Sequence, residues 1–166
     1  MRATRRSILT TAAAAGLAGC AGQPDFGRLP VATQVLVSKS ERRMWLLDGN
    51  QSLRRYRVEL GFQPQGHKSE EGDGRTPEGL YFIDRKNPRS DFHLSLGINY
   101  PDASDVARAE SLGVDPGGDI FIHGGPRPRI DRDGPDWTAG CIAVRNREIE
   151  EIYAMVRLGT PILITA

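Results

Sequence analysis

The chain has 166 residues, with 22 lysines and arginines against 21 aspartates and glutamates, and a formal net charge of +1 at pH 7. This length is enough for one domain whose hydrophobic core needs no disulfide or metal to stabilise it. The balanced charge excludes the strongly basic surface typical of proteins that bind nucleic acids, so we expect no nucleic-acid partner.

Residues 1–19 predict a lipoprotein signal peptide. Arginines give the segment a positive start, and residues 8–18 form an apolar run shorter than the roughly 20 residues that span a bilayer. The sequence Leu-Ala-Gly-Cys that ends at Cys20 resembles a bacterial lipoprotein processing site. This resemblance implies that cleavage precedes Cys20 and that its thiol is lipidated, which would anchor the protein to a membrane.

Residues 20–30 predict a lipidated tether, because glycine and proline recur there without an apolar period. We therefore expect an exported, periplasmic protein, held at the cell membrane or the outer membrane through Cys20. Secretion without a lipid, with an incidental cysteine at this position, is the alternative. Residues 31–166 are then expected to form the folded domain.

Short strands dominate the predicted elements of this domain. In chain order they span residues 34–38, 43–47, 54–60, 79–84, 92–98, 120–123, 141–144 and 161–165. Between the second and third strands, the sequence Asp-Gly-Asn at residues 48–50 predicts a tight hairpin turn. Many short strands separated by turn residues indicate a mostly β domain.

One or two helices complete the prediction. Asn146 can begin a helix as its N-cap, and the residues after it have helical spacing on one face: Ile149, Ile152, Tyr153 and Val156. Gly159 and Pro161 are expected to end that helix. A second, short helix is predicted across residues 104–111. The fold class is therefore mostly β with one or two helices.

Cys141 is the first candidate for chemistry. If lipid modifies Cys20, Cys141 is the one thiol left, so no disulfide can form within the chain. It follows Thr138, Ala139 and Gly140, a small and flexible approach that can leave backbone N–H groups unpaired beside the thiol. Such groups can form an oxyanion hole.

His123 is the candidate base for this thiol. It ends the apolar run of residues 119–123 and precedes Gly124 and Gly125, which puts it at a strand end beside flexible backbone. A free thiol is mostly un-ionised near neutral pH, so an imidazole partner would make it nucleophilic. A Cys/His pair alone is weak support for an enzyme, because such pairs also arise by chance.

The order of motifs resembles the L,D-transpeptidase catalytic domain family of the YkuD type, in its YafK-like branch. The family's motif is His-Gly, a spacer, then Ser/Thr-His-Gly-Cys, a hydrophobic residue and an Asn. Here His123-Gly124 precedes Thr138-Ala-Gly-Cys-Ile142 and Asn146. Residues 66–81 resemble the family's Thr-Pro-x-Gly loop and following strand, and residues 94–101 resemble its substrate-side strand.

This resemblance implies a mixed β-sandwich fold and an enzyme that acts on peptidoglycan stem peptides. Cys141 would attack a peptide carbonyl as nucleophile, His123 would be the general base, and a thioester would form. The resemblance gives supporting or oxyanion roles to Thr138, Gly140, Gly124 and Asn146. His67 and Tyr100, in the segments that resemble the family, are candidates for substrate binding. Arg127 and Arg129, in the loop between His123 and Cys141, are candidates to bind a substrate carboxylate. A solvated loop position is the alternative for His67 and for the arginines.

Two departures from the family motif leave the reaction open. Ala139 stands where the motif has a second histidine, and Ala143 stands where an arginine is usual. A hydrolase of the same fold, acting as an endopeptidase or amidase on cross-links or wall–lipoprotein bonds, is therefore an alternative to a transpeptidase. A wall-binding lipoprotein without catalysis is another. We expect no cofactor and no metal, since paired-ligand spacings such as Cys-x-x-Cys are missing from the sequence.

Overall fold

The computed structural model describes residues 29–128 and 134–166. The predicted signal peptide, Cys20 and Arg129 lie outside these residues. In the described part of the chain, no helix is both long and apolar enough to cross a membrane.

The described residues form eight strands and two helices, which confirms the prediction of a mostly β domain with helices. The strands are β1 (Gln34–Ser38), β2 (Arg43–Asp48), β3 (Gln51–Arg57), β4 (Gly79–Ser90), β5 (His93–Ile98), β6 (Phe121–His123), β7 (Ile142–Ala143) and β8 (Pro161–Thr165). Helix α1 (Ala103–Leu112) lies between β5 and β6, and helix α2 (Asn146–Met155) lies between β7 and β8.

The strands follow one another in the order β3-β2-β1-β8-β4-β5-β6-β7. The sheet is mixed, because β1 pairs with β8 and β6 pairs with β7 in parallel while the other neighbours are antiparallel. The predicted hairpin is present, with Asp48 opposite Gln51. The long β4 joins the two halves: residues 79–82 pair with β8, and from Ile83 onward the strand pairs with β5, with a register shift between Ile83 and Arg85.

The segment that follows β3, at one end of the sheet, pairs with β7 and the turn before it, at the other end. Glu59, just after β3, bridges Ala143 of β7, and Gly61 bridges Thr138. The backbone N–H groups of Glu59 and Ala143 donate to each other's carbonyl oxygens at 2.9 and 2.8 Å. The sheet therefore curls round on itself at the segment that carries Cys141.

The hydrophobic core lies between the inner face of this curled sheet and helix α2. Alternate residues of β1 and β8, such as Val35 and Ile162, are fully buried, and so are Ile149 and Ile152 of α2. Burial of a side chain of this size stabilises the fold by about 1.5–3 kcal/mol. The apolar side chains that recur with helical spacing in α2 thus face the core, as expected.

Some predicted boundaries differ from the structure. β3 spans Gln51–Arg57 rather than residues 54–60, because the two-residue turn pairs the chain with β2 at once. Asn146 is the first residue of α2 and not its N-cap. Arg145 is the N-cap, and its backbone N–H donates to Glu148 at 2.9 Å. The helix ends at Met155, before Gly159 is reached.

Candidate functional site

Gly140 forms the turn that presents Cys141 just before β7. Its φ is +135°, a region that side chains strongly disfavour, and a Cβ added there would lie 2.7 Å from the carbonyl oxygen of Arg75. Gly61 approaches from another side, since a Cβ on Gly61 would lie 2.9 Å from the Cα of Gly140. This close approach of backbones explains why glycine occupies the position before the thiol.

Thr138 fixes the same turn through its hydroxyl group. Its Oγ1 accepts a hydrogen bond from the N–H of Gly140 at 3.2 Å and donates to the carbonyl oxygen of Cys141 at 2.8 Å. The backbone N–H of Thr138 donates to Leu60 at 3.1 Å. These N–H groups are engaged within the fold, so Thr138 and Gly140 support the turn that carries Cys141.

The thiol of Cys141 is surrounded by backbone groups. The N–H of Phe121 donates to its Sγ at 3.4 Å, and the S–H donates toward the carbonyl oxygen of Asp119 at 3.5 Å. Burial is the largest influence and raises the pKa of the thiol to about 11, while the Phe121 N–H and the charge of Lys68 act in the opposite direction. At neutral pH the resting thiol therefore carries its proton, and attack on a carbonyl requires a base.

His123 ends β6 and its ring is buried. Its Nδ1 lies 2.6 Å from the carbonyl oxygen of Gly124. A carbonyl can only accept, so Nδ1 carries the ring proton and Nε2 is the nitrogen able to take up another. The ring packs against Phe92, with centroids 4.3 Å apart, and against the edge of Trp137 at 5.6 Å, which holds it in a fixed orientation.

Asn146 supports the backbone that follows this histidine. Its Oδ1 accepts a hydrogen bond from the N–H of Gly125 at 2.9 Å. A Cβ on Gly124 would come within 2.6 Å of that oxygen, so glycine is required there. The N–H of Gly124 donates to the carbonyl oxygen of Phe92 at 3.1 Å. Asn146 and Gly124 thus position the loop after His123, and the expected oxyanion donor at Gly124 is already used.

Two clefts meet at Cys141. The first, of about 360 Å³, contains both Cys141 and His123 in its lining, and we call it the histidine cleft. Phe92, Ser95 and Phe121 form part of its wall. The second, also of about 360 Å³, is lined by Cys141, Ala139 and Lys68, and we call it the lysine cleft. The thiol is thus accessible to a group in either cleft.

Lys68 is a site residue that the sequence did not single out. Its side chain is 4 % exposed, and its Nζ donates to Asp73 at 3.0 Å and to the carbonyl oxygen of Glu70 at 2.8 Å. It stands next to His67 in a charged loop, where a solvated lysine is the ordinary expectation. The structure instead buries this cation in the wall of the lysine cleft, where its charge favours the thiolate of Cys141.

We expect the alkylation rate of Cys141 by iodoacetamide to rise with pH up to about 11, because only the thiolate reacts. The double variant Lys68→Met, Asp73→Asn should shift this profile to higher pH, since the thiolate loses a favourable charge. Neutralising Asp73 as well avoids leaving a buried carboxylate unpaired. Lys86→Met, at a half-buried lysine that lines neither cleft, is the control. Asp73→Asn alone gives the effect of the carboxylate, and equal profiles for this single variant and the double variant would contradict an electrostatic effect of Lys68.

His67 and Tyr100, both predicted to bind substrate, lie instead in a cluster at helix α1. His67 Nδ1 accepts from the N–H of Glu78 at 3.0 Å, and its Nε2 is 3.0 Å from a carboxylate oxygen of the buried Asp105. Tyr100 is 4 % exposed and donates to the carbonyl oxygen of Pro116. Neither residue is among those that line the two clefts. Both residues thus lie beside helix α1 and outside the lining of the two clefts, and their binding of substrate stays a prediction.

Arg127 lies close to the histidine cleft. Its guanidinium carbon is 4.0 Å from the ring centre of Phe92, which also packs against His123 and Trp137. Arg129 falls outside the described residues. Ala143, where the family usually has arginine, is buried in β7 and lines neither cleft. Among the described residues, no group of three or more His, Cys, Asp or Glu side chains is placed to hold a metal ion.

Solved structures with the same fold include Pgp2 of Campylobacter jejuni, a helical cell shape determining protein, here as its K307A mutant. The two chains are 26 % identical with a TM-score of 0.64, over 81 % of this chain and 47 % of the other. An L,D-transpeptidase from Xylanimonas cellulosilytica has a TM-score of 0.53 at 14 % identity, over 83 % of this chain and 62 % of that one, and supports the fold alone.

Sequence comparison gives the same assignment. YafK of Escherichia coli K12, which carries the name "Putative L,D-transpeptidase YafK", is 30 % identical over 93 residues, or 55 % of this chain and 32 % of YafK. The chain thus spans about a third of that relative's length. The profile of the YkuD family, the L,D-transpeptidase catalytic domain, matches residues 32–164. With the fold and the order of motifs in agreement, this chain belongs to the L,D-transpeptidase catalytic domain family.

Proposed function

We propose that this protein is a cysteine acyltransferase that acts on peptidoglycan stem peptides, with Cys141 as nucleophile and His123 as general base. One observation carries the proposal: Cys141 and His123 line the same cleft, with the thiol at its junction with a second cleft. The family assignment supports the substrate class, since the family is that of the L,D-transpeptidases.

In the first half-reaction a stem peptide lies in the histidine cleft. The sulfur of Cys141 forms a bond to the peptide carbonyl carbon while Nε2 of His123 takes the thiol proton. The C–N bond of the tetrahedral intermediate then breaks, and the imidazolium gives its proton to the leaving amine. A thioester remains on Cys141. The raised pKa of the thiol makes this proton transfer to His123 necessary at neutral pH.

In the second half-reaction an acceptor reaches the thioester through the lysine cleft. An amine of a second peptide adds to the thioester carbonyl, His123 removes its proton, and the thiol is released with that proton restored. The product is then a new peptide bond. If water is the acceptor, the same steps give a carboxylic acid and the enzyme is a hydrolase.

Ala139 is the observation that favours hydrolysis as the second candidate. It is exposed and lines the lysine cleft, at the position where the family motif has a histidine. A methyl group cannot hydrogen-bond an incoming amine, so the cleft has one polar group fewer with which to select an amine over water. Transfer therefore depends on other groups in that cleft, including Lys68.

The proposal includes export and lipidation at Cys20, which would place the catalytic domain in the periplasm at a membrane surface. This part rests on the sequence of residues 1–20. The test is growth with a labelled fatty acid, followed by isolation of the wild-type and Cys20→Ala proteins. Label in the first and none in the second supports the anchor, and label in neither contradicts it.

The catalytic proposal is tested by incubating sacculi with the full chain and with its Cys141→Ala variant, then analysing the digested muropeptides. New cross-links made by the wild-type protein alone support transfer. Loss of existing cross-links, or release of attached lipoprotein, supports hydrolysis. If the wild-type protein changes nothing and iodoacetamide never labels native Cys141, the enzyme proposal is wrong and a wall-binding lipoprotein without catalysis remains.

A further inference from the structure

Strands β2, β1, β8 and the start of β4 have a second apolar face, which points away from the core. We call it the outer face, and it consists of Leu36, Trp45, Leu47, Leu80, Phe82, Pro161 and Leu163. Leu80 and Phe82 are 55 % and 44 % exposed, and the other five are partly exposed. Strand alternation explains the arrangement, since the residues between them, such as Val35, Met44 and Tyr81, face the core.

The apolar side chains of the outer face are contiguous across four neighbouring strands. Trp45 of β2 is paired with Leu36 of β1, Leu36 with Leu163 of β8, and Leu163 with Leu80 of β4. Phe82 stands opposite Pro161 in the adjacent row. A contiguous apolar patch on a folded domain marks an interaction surface far more often than scattered apolar residues do.

Arginines border this patch on one side. Arg55 of β3 is paired with Trp45, so the two side chains share the outer face, and Arg43 is paired with Arg57 in the next row. The Nε of Arg57 is 3.5 Å from a carboxylate oxygen of Glu59. Asp84 is an acidic residue of β4, on the opposite side of the patch from β3. Tryptophan is enriched where proteins meet the headgroups of a bilayer, and arginine is attracted to anionic lipids. An apolar patch with this border fits a membrane surface.

The chain enters the folded domain at the start of β1, one of the strands that carry the outer face. Residues 29–32 themselves pack on the core side, where the N–H of Ala32 donates to the carbonyl oxygen of Met155 of α2 at 2.9 Å. The N–H of Thr33, just before β1, donates to the carbonyl oxygen of Leu47 at 2.8 Å. Cys20 precedes Leu29 by about nine residues, a length that reaches at most about 30 Å when fully extended. A lipid on Cys20 would therefore hold the bilayer within reach of the outer face.

We propose that the outer face binds the surface of a membrane that contains anionic phospholipids. The inference rests on the proposed export and anchor for the presence of that membrane, and it goes beyond the catalytic proposal. No residue of the outer face lines the histidine or the lysine cleft in the described part of the chain. The bound domain thus keeps both clefts open to substrate.

The experiment measures binding of the full chain with Cys20→Ala, which carries no lipid, to vesicles by sedimentation. Vesicles of phosphatidylcholine alone are compared with vesicles that also contain phosphatidylglycerol. We expect tighter binding to the anionic vesicles, weakened by salt. Arg55→Glu should weaken it by more than the roughly fivefold expected for loss of one positive charge. Trp45→Ser combined with Leu80→Ser should weaken it at least tenfold.

Matched variants elsewhere on the surface control for charge and hydrophobicity. Arg147→Glu on α2 makes the same charge change, and Leu112→Ser removes an equally exposed leucine from the end of α1. Equal losses from these controls, or equal binding to neutral and anionic vesicles, would overturn the inference. The inference would also be overturned if the Cys20→Ala protein binds no vesicles but forms a dimer, and the further changes Trp45→Ser and Leu80→Ser abolish that dimer. The outer face would then be assigned to a second copy of the chain. Muropeptide products without vesicles should be unchanged in the outer-face variants, so this test can fail while the catalytic proposal stands.

Discussion

Replacing His123 by glutamine is expected to slow formation of the acyl-enzyme by about 10²–10⁴-fold, the usual contribution of a general base. Glutamine can still fill the space beside Phe92 and donate to the carbonyl oxygen of Gly124, but it cannot accept the thiol proton. Since burial raises the pKa of Cys141 to about 11, very little thiolate forms without help near neutral pH. The measurement is the rate at which the protein gains the mass of an acyl group from a stem peptide.

His93 provides the matched control for this experiment. It is also a histidine of the same sheet, but its Nε2 is 2.7 Å from Glu150 on the surface of α2, and it lines neither cleft. His93→Gln should therefore acylate at nearly the wild-type rate. In His123→Gln, acylation is expected to recover as the pH approaches 11, because hydroxide then removes the thiol proton. Equal acylation rates for wild type and His123→Gln at neutral pH would exclude His123 as the base.

Replacing Gly140 by alanine is expected to damage both stability and activity. A φ of +135° costs an L-residue about 1–3 kcal/mol. The new Cβ would also lie 2.7 Å from the carbonyl oxygen of Arg75, and relieving such an overlap typically costs a further 1–3 kcal/mol. The movement needed to relieve it would shift Cys141, which follows directly. Denaturant unfolding measures the first effect, and the acylation rate of the folded protein measures the second.

Gly134 separates the two contributions to this loss. Its φ is +112°, but no atom of residues 29–128 or 136–166 lies within 4 Å of an added Cβ. Gly134→Ala should therefore show the backbone cost alone and leave the acylation rate unchanged. If Gly140→Ala loses no more stability than Gly134→Ala and keeps its activity, then the contact with Arg75 is not what requires glycine before the thiol.

The sequence predicted those parts of the fold that depend on local pattern. Alternating apolar residues identified β1 and β8, and the Asp-Gly-Asn turn identified the hairpin between β2 and β3. Helical spacing identified α2, because its buried residues recur on one face. The extension of β4 to Ser90 was not predictable, since its exposed second half is held by pairing with β5 rather than by its own hydrophobic pattern.

The same distinction applies to the site. Cys141 and His123 were recognisable from a motif, and the structure brings them to one cleft. Lys68 was not recognisable, because its burial depends on the fold of a charged loop around Asp73. The neighbours of His67 were not predictable for the same reason, since only the packing of α1 brings Asp105 to its ring. The role of Asn146 likewise depended on knowing where Gly125 lies.

The bridge between Glu59 and Ala143 bears on the stage of folding at which Cys141 reaches its final position. It joins segments that are distant in the chain, and contacts of this kind form late because a long loop must first be closed. In a newly made chain, Cys141 therefore reaches its buried position in the lining of the histidine cleft only when the sheet has closed. Opening of this seam would separate the segment that carries Cys141 from the residues after β3, and hydrogen exchange at the amides of Glu59 and Ala143 would report how often that happens.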